Sequence, residues 1–356
     1  DALLENDYKE QFPVDAFHGG GGIGINMNVN EVIAALAGHE VQPVDDVNMS
    51  QSTSDVCHTA LRLCLYKEVG RLIERVKDLI CTVMAKAESF REYLTIASTS
   101  WQDGMSVSAS AELEGFAGAL SEQLAWTEQY RNTLLKVNLG WTVIGSGKGA
   151  ADEYRLHIMN ALGEVTGLPF EWKNSVYQAA QYTEDLSVLS AYIRTISSVT
   201  AKFARDVRIL SSGPETGLGE WSVPAVQAGS SFFPGKVNPV MAEMIIQCDM
   251  LVGGNDSVIQ NILSQGEIHL NVWEEMAGFL LIQNITRLSK ATELFYKHCV
   301  SGIELNKETS LYYSRASIPL ITDYKEKYGY KKLAVQVKKY GFENVVERIR
   351  KGELDR

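Results

Sequence analysis

The sequence predicts an all-α protein, built on a bundle of long helices and ending in a small helical domain. Residues 57–94 contain no proline and a single glycine, and their apolar residues recur every three or four positions, as on one helix face. Residues 304–356 form shorter segments rich in lysine and tyrosine. The pattern of 57–94 recurs at about 107–137, 150–167, 173–211, 239–264 and 270–301. Several long helices in one chain indicate a bundle.

The longest predicted helix implies assembly from several copies of the chain. A helix over 57–94 would span roughly 57 Å at about 1.5 Å per residue. Its apolar stripe consists of Leu61, Leu65, Val69, Leu72, Val76, Leu79 and Val83. Neighbours of equal length must cover such a stripe, and a single chain would leave similar stripes exposed. We therefore expect a homo-oligomer.

Net charge and hydropathy exclude two classes of partner. Lys and Arg total 33 against 44 Asp and Glu, a formal charge of −11, whereas binding to nucleic-acid phosphates requires a basic face. No apolar run reaches the roughly 18 residues of a membrane-spanning helix. Residues 1–10 lack the basic and apolar regions of a signal peptide. We expect a cytoplasmic protein that binds neither nucleic acid nor membranes.

The cysteine and histidine spacings favour reduced thiols and argue against a metal centre. The five cysteines form no Cys-x-x-Cys pair, which is typical of cytosolic proteins with free thiols. No two of the six histidines lie three to five positions apart, as they do in many helical metal sites. We therefore expect no bound metal.

Two glycine-containing segments are candidates for loops that contact a ligand. Residues 18–25 contain five glycines, whose backbone entropy disfavours a helix or a strand, and a helix is predicted to begin at Asn26. Residues 229–239 predict a loop that ends where a helix begins, at about Pro239. Serine hydroxyls, a lysine and an asparagine near a helix N-terminus suit an anion or a stabilised serine alkoxide. The alternative is a turn in which the serine and lysine are incidental.

Five segments together resemble the fumarase/aspartase superfamily, in the family's order and over almost the whole chain. Residues 229–239, Gly-Ser-Ser-Phe-Phe-Pro-Gly-Lys-Val-Asn-Pro, resemble its signature loop Gly-Ser-Ser-x-Met-Pro-x-Lys-x-Asn-Pro. The other matching segments are Asn26-Met-Asn-Val-Asn-Glu31, Asn48-Met-Ser-Gln-Ser-Thr-Ser-Asp55, Gly213-Pro-Glu-Thr-Gly-Leu-Gly-Glu220 and Gly254-Asn-Asp256.

The resemblance implies a particular architecture and assembly. Residues 1–47 would be the remnant of an N-terminal domain with the Gly-rich substrate loop, 48–303 the central bundle, and 304–356 the small C-terminal domain. Four subunits would form a fumarase/aspartase-like homotetramer with a twenty-helix core. Each active site would then combine residues 52–54, 99–101 and 229–238 from three different subunits.

The resemblance also implies a lyase, namely a carbon–nitrogen lyase of the ammonia-lyase type. Such enzymes remove a proton beside a resonance-stabilising group and expel a leaving group from the neighbouring carbon, giving a trans double bond. By motif position Ser230 is the base and Ser231 assists it, whereas Lys236 and Asn238 hold the α-carboxylate. Glu243 matches a family glutamate that pairs with a catalytic histidine. No organic cofactor is required, because the proton and the leaving group carry the whole reaction.

Departures from the family pattern lie around the expected β-carboxylate. Ile23 and Ile25, with Gly24 between them, replace hydroxyl side chains that bind this group in the family. In the second block, Ser52 and Thr53 are retained, and Ser54 replaces an asparagine.

Further departures lie in three other blocks. Against Gly-Arg-Thr-His-x-Gln-Asp, Thr99 is retained, Ser100 replaces the histidine and Trp101 fills the variable position. Lys148 replaces the leucine of Gly-Thr-Gly-Leu-Asn, and His269 replaces the glutamate of Phe/Leu-Glu-Leu-Asn.

Three interpretations of these changes remain open. One is a non-catalytic structural paralogue, which the retention of Ser230, Lys236 and Asn238 argues against. The second is an ordinary aspartate ammonia-lyase or fumarase-like enzyme. The third is the same elimination on a betaine, in which trimethylamine leaves without needing an acid and a flatter, less anionic group replaces the β-carboxylate. Ergothionase, which converts ergothioneine to thiourocanate, is the specific hypothesis favoured by Ile23, Ile25 and Ser100.

Several of these residues also have a purely structural interpretation. Trp101 either packs in the core or attracts a quaternary ammonium through its ring. The structural alternatives are a filler role for Ser100, a hydrogen-bonded structural role for His269 and simple exposure for Lys148. Glu243 is expected to bond Ser100, His269 or a water in place of the missing histidine. His58, at a family proline position, is expected to be structural.

Overall fold

The computed structural model describes residues 8–354, and helices account for most of them. Residues 1–7, which hold most of the segment judged not to be a signal peptide, lie outside the described residues. The chain forms two compact units, each made of three stretches. The first unit comprises residues 1–76, 122–198 and 247–292, and the second comprises 77–121, 199–246 and 293–356. The proposed boundaries after residues 47 and 303 stay a prediction.

The helices follow one another along the chain, separated by loops, single helical turns and short strands. The longer ones are α1 (Ile23–Ala37), α2 (Thr53–Phe90), α3 (Ala111–Arg131), α4 (Asp152–Thr166), α6 (Glu184–Leu210), α7 (Val240–Leu263) and α8 (Glu274–His298). The shorter ones are α5 (Val176–Gln181), α9 (Lys307–Ser314), α10 (Ser317–Asp323), α11 (Lys325–Tyr328), α12 (Tyr330–Tyr340) and α13 (Phe342–Arg350). Single turns of other helix types are Lys9–Gln11, Pro43–Val47, Asn132–Leu135, Val143–Gly145 and Val300–Gly302.

Three two-stranded sheets complete the secondary structure of the described residues. β1 (Leu94–Thr99) and β2 (Gln102–Ser108) form an antiparallel hairpin. β3 (Lys136–Val137) pairs in parallel with β4 (Glu171–Trp172), and β5 (Trp221–Ser222) pairs antiparallel with β6 (Glu304–Leu305).

The predicted long helix is confirmed, because α2 runs from Thr53 to Phe90. The predicted stripe is also confirmed: from Leu65 to Val83 its members are fully or almost fully buried. No helix among residues 8–354 is both long and apolar enough to cross a membrane.

Three predicted helix boundaries were wrong. The helix expected to begin at Asn26 begins at Ile23, so Ile23 and Ile25 lie in the first turn of α1 rather than in the glycine loop. The helix expected over 107–137 spans only Ala111–Arg131, because residues 102–108 form a strand. The segment 173–211 splits into α5 and α6, with an extended residue at Tyr182.

The C-terminal residues have a small apolar core of their own. Helices α10, α12 and α13 and the turn that follows α13 contribute the buried side chains Ile321, Leu333, Val345, Val346, Ile349 and Leu354. α10 contacts α13, and within the same unit α9 packs against β1 and α10 against β2. The C-terminal helices therefore support the hairpin.

Candidate active site

The proposed site residues are divided between the two units. The first unit holds Ile23, Ile25, Ser52, Thr53, Ser54, Lys148 and His269. The second holds Thr99, Ser100, Trp101, Ser230, Ser231, Lys236, Asn238 and Glu243.

In the first unit, buried asparagines join the first two family blocks. Asn48 Oδ1 accepts the side-chain N–H groups of Asn26 and Asn30, each over 3.1 Å. Asn26 Nδ2 also lies 3.0 Å from Thr53 Oγ1. Because Asn26 and Asn30 are almost completely buried, these bonds fix α1 against the start of α2. The position of Thr53 relative to α1 follows from them.

Asp55 anchors the loop that follows β3. This residue is fully buried, and its Oδ2 accepts the backbone N–H groups of Gly140 and Thr142 over 3.0 and 2.9 Å. Its Oδ1 accepts the N–H of Ser52 over 2.9 Å. Burial raises the pKa of Asp55, although the backbone N–H groups oppose this change. Ser54 Oγ donates to the carbonyl of Thr142 over 3.2 Å, so residues 52–54 and this loop form one structure.

The isoleucines at the start of α1 differ in exposure. The Ile23 side chain is 56% exposed, whereas Ile25 is half-buried. An alkyl group at either position offers no hydrogen bond to a carboxylate. The unit therefore presents an apolar surface where the family pattern has hydroxyl groups.

A buried ionic network surrounds Arg62, which lies further along α2 than residues 53 and 54. Arg62 is fully buried, with its Nε 2.7 Å from Asp185 Oδ2 and its Nη1 2.6 Å from Glu274 Oε1. Burial is the largest single effect and raises the pKa of both carboxylates, but Arg62 and the neighbouring cationic groups together outweigh it. The pKa of Asp185 is therefore lowered, and that of Glu274 is lowered to about 2. His58 Nδ1 lies 3.0 Å from Glu274 Oε1, and burial lowers the pKa of His58.

A cavity of about 20 Å³ adjoins this network, which is room for one water molecule. Thr53, Ser54, His58 and Glu275 are among its lining residues. Within the described residues, His58 Nε2 and Glu275 Oε1 have no hydrogen-bond partner. Burial raises the pKa of Glu275 to about 6. Gly22, with a φ of 82°, lies so close that a Cβ atom there would collide with the Glu275 carboxylate, which explains part of the glycine run.

Two further candidates in this unit are exposed. Lys148 is exposed, which agrees with the alternative that it has no specific contact. Its backbone carbonyl accepts the Thr142 hydroxyl over 2.9 Å. His269 is exposed in the turn joined by the Glu267–Leu270 bridge. A hydrogen bond from the His269 side chain is absent among residues 8–354, and its role, structural or in the site, stays a prediction. His58, in contrast, is buried; its expected structural role stays a prediction.

In the second unit, the signature loop points two N–H groups at Ser230. Ser230 Oγ accepts the backbone N–H groups of Phe232 and Phe233, each over 2.9 Å. Hydrogen bonds to an oxygen stabilise its anionic form more than its neutral form. This geometry favours the alkoxide that a serine base requires.

The rest of the loop is closed by backbone contacts. Gly229 N–H donates to the Lys236 carbonyl over 3.1 Å, and Asn238 Nδ2 donates to the Gly229 carbonyl over 2.8 Å. A Cβ atom on Gly229 would collide with the Lys236 oxygen, so only glycine fits there. The Lys236 ammonium is exposed and makes no ion pair with any of residues 8–354. Ser231 is exposed beside Ser230.

Phe233 was not predicted as a site residue, although it replaces the methionine of the signature pattern. The rings of Phe232 and Phe233 are largely exposed and meet edge to face, with centroids 4.9 Å apart. The Lys236 Nζ lies 5.8 Å from the centroid of the Phe233 ring. The loop therefore presents aromatic surface next to its serine and its free ammonium.

The third block forms the tip of the β1–β2 hairpin, which sequence analysis did not predict. Thr99 pairs with Gln102, and Ser100 and Trp101 form the two-residue turn with φ values of 53° and 62°. Positive φ at both positions matches the turn type that suits a twisted hairpin. Trp101 is 70% exposed, so the alternative of a packed core aromatic was wrong for the single chain.

Glu243 lies in the first turn of α7, just after the loop. Its Oε1 is 3.8 Å from Arg208 Nη2. The expected bond to Ser100, His269 or water stays a prediction, since the expected site combines several subunits. No group of three or more His, Cys, Asp or Glu residues within 8–354 has the arrangement of a metal site.

Comparison with known proteins identifies the family. A family model described as "Lyase" matches residues 1–254. The aspartate ammonia-lyase of Bacillus subtilis (strain 168) is 35% identical over 344 residues, which cover 94% of this chain and 72% of that protein. The aspartate ammonia-lyase of Helicobacter pylori (strain J99) is 35% identical over 348 residues, which cover 95% of this chain and 74% of that protein.

Solved structures agree with these relatives. The cobalt-bound crystal structure of fumarate lyase:delta crystallin from Brucella melitensis matches with a TM-score of 0.90 and 35% identity, over 95% of this chain and 76% of that one. The class II fumarase of Schistosoma mansoni matches with a TM-score of 0.90 and 27% identity, over 94% and 75% of the two chains. The expected all-α, long-helix fold is thereby confirmed. On this evidence the chain belongs to the fumarase/aspartase superfamily of lyases.

Proposed function

We propose that this lyase is a carbon–nitrogen lyase that removes ammonia from aspartate or a closely related α-amino acid. The observation that carries the proposal is the pair of backbone N–H groups whose nitrogens lie 2.9 Å from Ser230 Oγ, in a loop that also carries the exposed ammonium of Lys236. Relatives over at least 90% of the chain are named aspartate ammonia-lyase, which supports the same substrate class here.

The reaction needs only groups of the chain and the substrate. Ser230 as an alkoxide takes a proton from Cβ of the substrate, and the electron pair moves onto the adjacent β-carboxylate. Lys236 and Asn238 hold the α-carboxylate, because an ammonium and an amide N–H bind a carboxylate and so orient the substrate towards Ser230. The carbon–nitrogen bond then breaks, giving a trans-unsaturated acid and ammonia.

A second candidate is the elimination of trimethylamine from a betaine such as ergothioneine. The exposed alkyl group of Ile23 and the exposed ring of Trp101 favour it, because an aromatic ring attracts a quaternary ammonium and an alkyl group does not hold a second carboxylate. Ser100 in place of a histidine also suits a leaving group that departs without a proton.

The proposed assembly is a homotetramer in which three subunits supply residues 52–54, 99–101 and 229–238 to each site. This arrangement accounts for the exposure of Ser100, Trp101 and the signature loop on one chain.

One assay separates the candidate functions. The protein is incubated in parallel with L-aspartate and with ergothioneine, and the conjugated product, ammonia and trimethylamine are measured. Ammonia and fumarate from aspartate support the first candidate, whereas thiourocanate and trimethylamine support the second. Turnover of neither compound contradicts both aspartate and ergothioneine as substrates and favours a non-catalytic paralogue.

A further inference from the structure

The second unit contains a cavity of about 670 Å³ beside the β1–β2 hairpin. The hairpin, the start of α3, the end of α6 and the segment leading into β5 form its walls. Four carboxylates line it, namely Asp103, Glu112, Asp206 and Glu220. Among the described residues, no lysine, arginine or histidine belongs to the lining, so the charged side chains that line the cavity are all acidic.

Two of these carboxylates have a cation partner and two do not. Lys202 Nζ lies 2.7 Å from Glu112 Oε1 and 2.6 Å from Asp206 Oδ2. Neither Asp103 nor Glu220 makes an ion pair with any other of residues 8–354. The negative charge without a counter-ion is therefore concentrated at these two positions.

Glu220 is the stronger indication of a cationic ligand, because this residue is only 4% exposed. Its Oε2 accepts the hydroxyl of Thr95, whereas its Oε1 has no hydrogen-bond partner within 8–354 although the residue lines the cavity. Burial raises the pKa of Glu220, as expected for a carboxylate that lacks a nearby cation. A cationic ligand would supply the missing charge.

The aromatic walls of the cavity decide which kind of cation fits. Trp101, Trp221 and Tyr313 belong to its lining. The described carboxylates are not grouped as a metal site, and a hard divalent ion needs several oxygen ligands at short distance. An ammonium carried on an organic body would instead contact aromatic rings and one or two carboxylates.

We propose that this cavity binds an organic ammonium ion, with Glu220 and Asp103 facing its charge and the aromatic rings contacting its alkyl groups. The site uses neither Ser230 nor Lys236, so ligand binding does not depend on the proposed elimination. The ammonium is either that of a free amine or that of the lyase's own substrate, since Ser100 and Trp101 belong to both the cavity and the candidate active site.

The test is binding of choline to the full-length protein, measured by calorimetry and by tryptophan fluorescence. The control ligand is the neutral isostere of choline, in which carbon replaces the quaternary nitrogen. We expect saturable binding of choline and at least about tenfold weaker binding of the isostere, a change of about 1.4 kcal/mol. Glu220→Gln should weaken choline binding by a similar factor, whereas Glu267→Gln, at an exposed position outside the cavity, should not change it.

A second variant keeps the test decisive if Glu220→Gln does not fold. Asp103 is exposed, so Asp103→Asn should fold normally and weaken choline binding several-fold. Equal binding of choline and its isostere, no binding of choline, or unchanged binding by both carboxylate variants would overturn the proposal.

Two further arms distinguish the sources of the ammonium and separate this proposal from the proposed function. Displacement of choline by L-aspartate identifies the ammonium as that of the substrate, and its absence identifies a separate amine; choline binds in both cases. Ser230→Ala should bind choline as the wild type does, whether or not the wild type turns over aspartate.

Discussion

Asp55 Oδ2 accepts the backbone N–H of Thr142 over 2.9 Å and so ties the start of α2 to a loop 87 residues further along the chain. The same carboxylate oxygen holds Gly140, and Oδ1 holds Ser52. Three backbone N–H groups thus depend on one buried side chain. The arrangement of Ser52, Thr53 and Ser54 depends on it as well.

Asp55→Ala should therefore destabilise the protein strongly. Each buried N–H left without a partner costs about 1–3 kcal/mol, so we expect the free energy of unfolding to fall by at least about 3 kcal/mol. Chemical denaturation followed by circular dichroism measures this. Asp45→Ala, at an exposed position, is the matched control and should change stability by less than about 0.5 kcal/mol. Similar stabilities of the two variants would contradict the anchoring role.

Arg62 should be equally sensitive, for an electrostatic reason. Arg62→Ala leaves the carboxylates of Asp185 and Glu274 buried without their cation, which typically costs about 3–5 kcal/mol. Arg71, whose side chain is 71% exposed in a pair with Glu68, provides the control. Arg71→Ala should cost no more than about 1 kcal/mol. A small effect of Arg62→Ala in denaturation experiments would show that the network does not stabilise the fold.

Glu275 predicts a specific pH dependence of stability. Its pKa is raised from 4.5 to about 6 in the folded protein, so the folded state holds this proton where the unfolded state has lost it. Stability should fall as pH rises from about 4.5 to about 6, because folding then opposes ionisation. Glu275→Gln removes this contribution, so its melting temperature should fall less than that of the wild type across this range. Identical pH profiles for wild type and variant would contradict the assignment; Glu267→Gln is the exposed control.

The long helices could be predicted from the sequence, whereas the hairpin could not. The apolar residues from Leu65 to Val83 recur every three or four positions over several turns. This spacing fits a helix and excludes a strand, in which alternate residues share a face. The hairpin turns at Ser100 and Trp101, which lack the Asn-Gly type of signal that predicts such turns. The strands of the hairpin pack against the C-terminal helices, which are distant in sequence.

The part of the candidate site whose functional groups all belong to one short motif could be predicted from the sequence. Residues 229–239 contain Ser230 and the N–H groups that contact it, so the loop could be identified from local sequence alone. Asp55, Arg62 and Glu220 were not singled out, because their partners come from segments far along the chain. Buried charges of this kind become visible only when the fold brings the segments together.

The proposed sharing of sites between subunits predicts complementation. Thr53→Ala and Ser230→Ala should each abolish most activity, but co-expression of the two should restore it in mixed tetramers. If the two residues of one site come from different subunits, random mixing leaves roughly a quarter of the sites intact. Activity in the mixture no higher than that of either variant alone would contradict the sharing of sites.

The most direct test of the central claim is the turnover of Ser230→Ala on the substrate that the wild type converts. Removal of a general base typically lowers the rate by at least about 100-fold, so we expect kcat to fall at least that far with the fold unchanged by circular dichroism. Ser301→Ala, at an exposed serine far along the chain, should retain wild-type kcat. A Ser230→Ala variant that keeps near wild-type turnover would show that Ser230 is not the base.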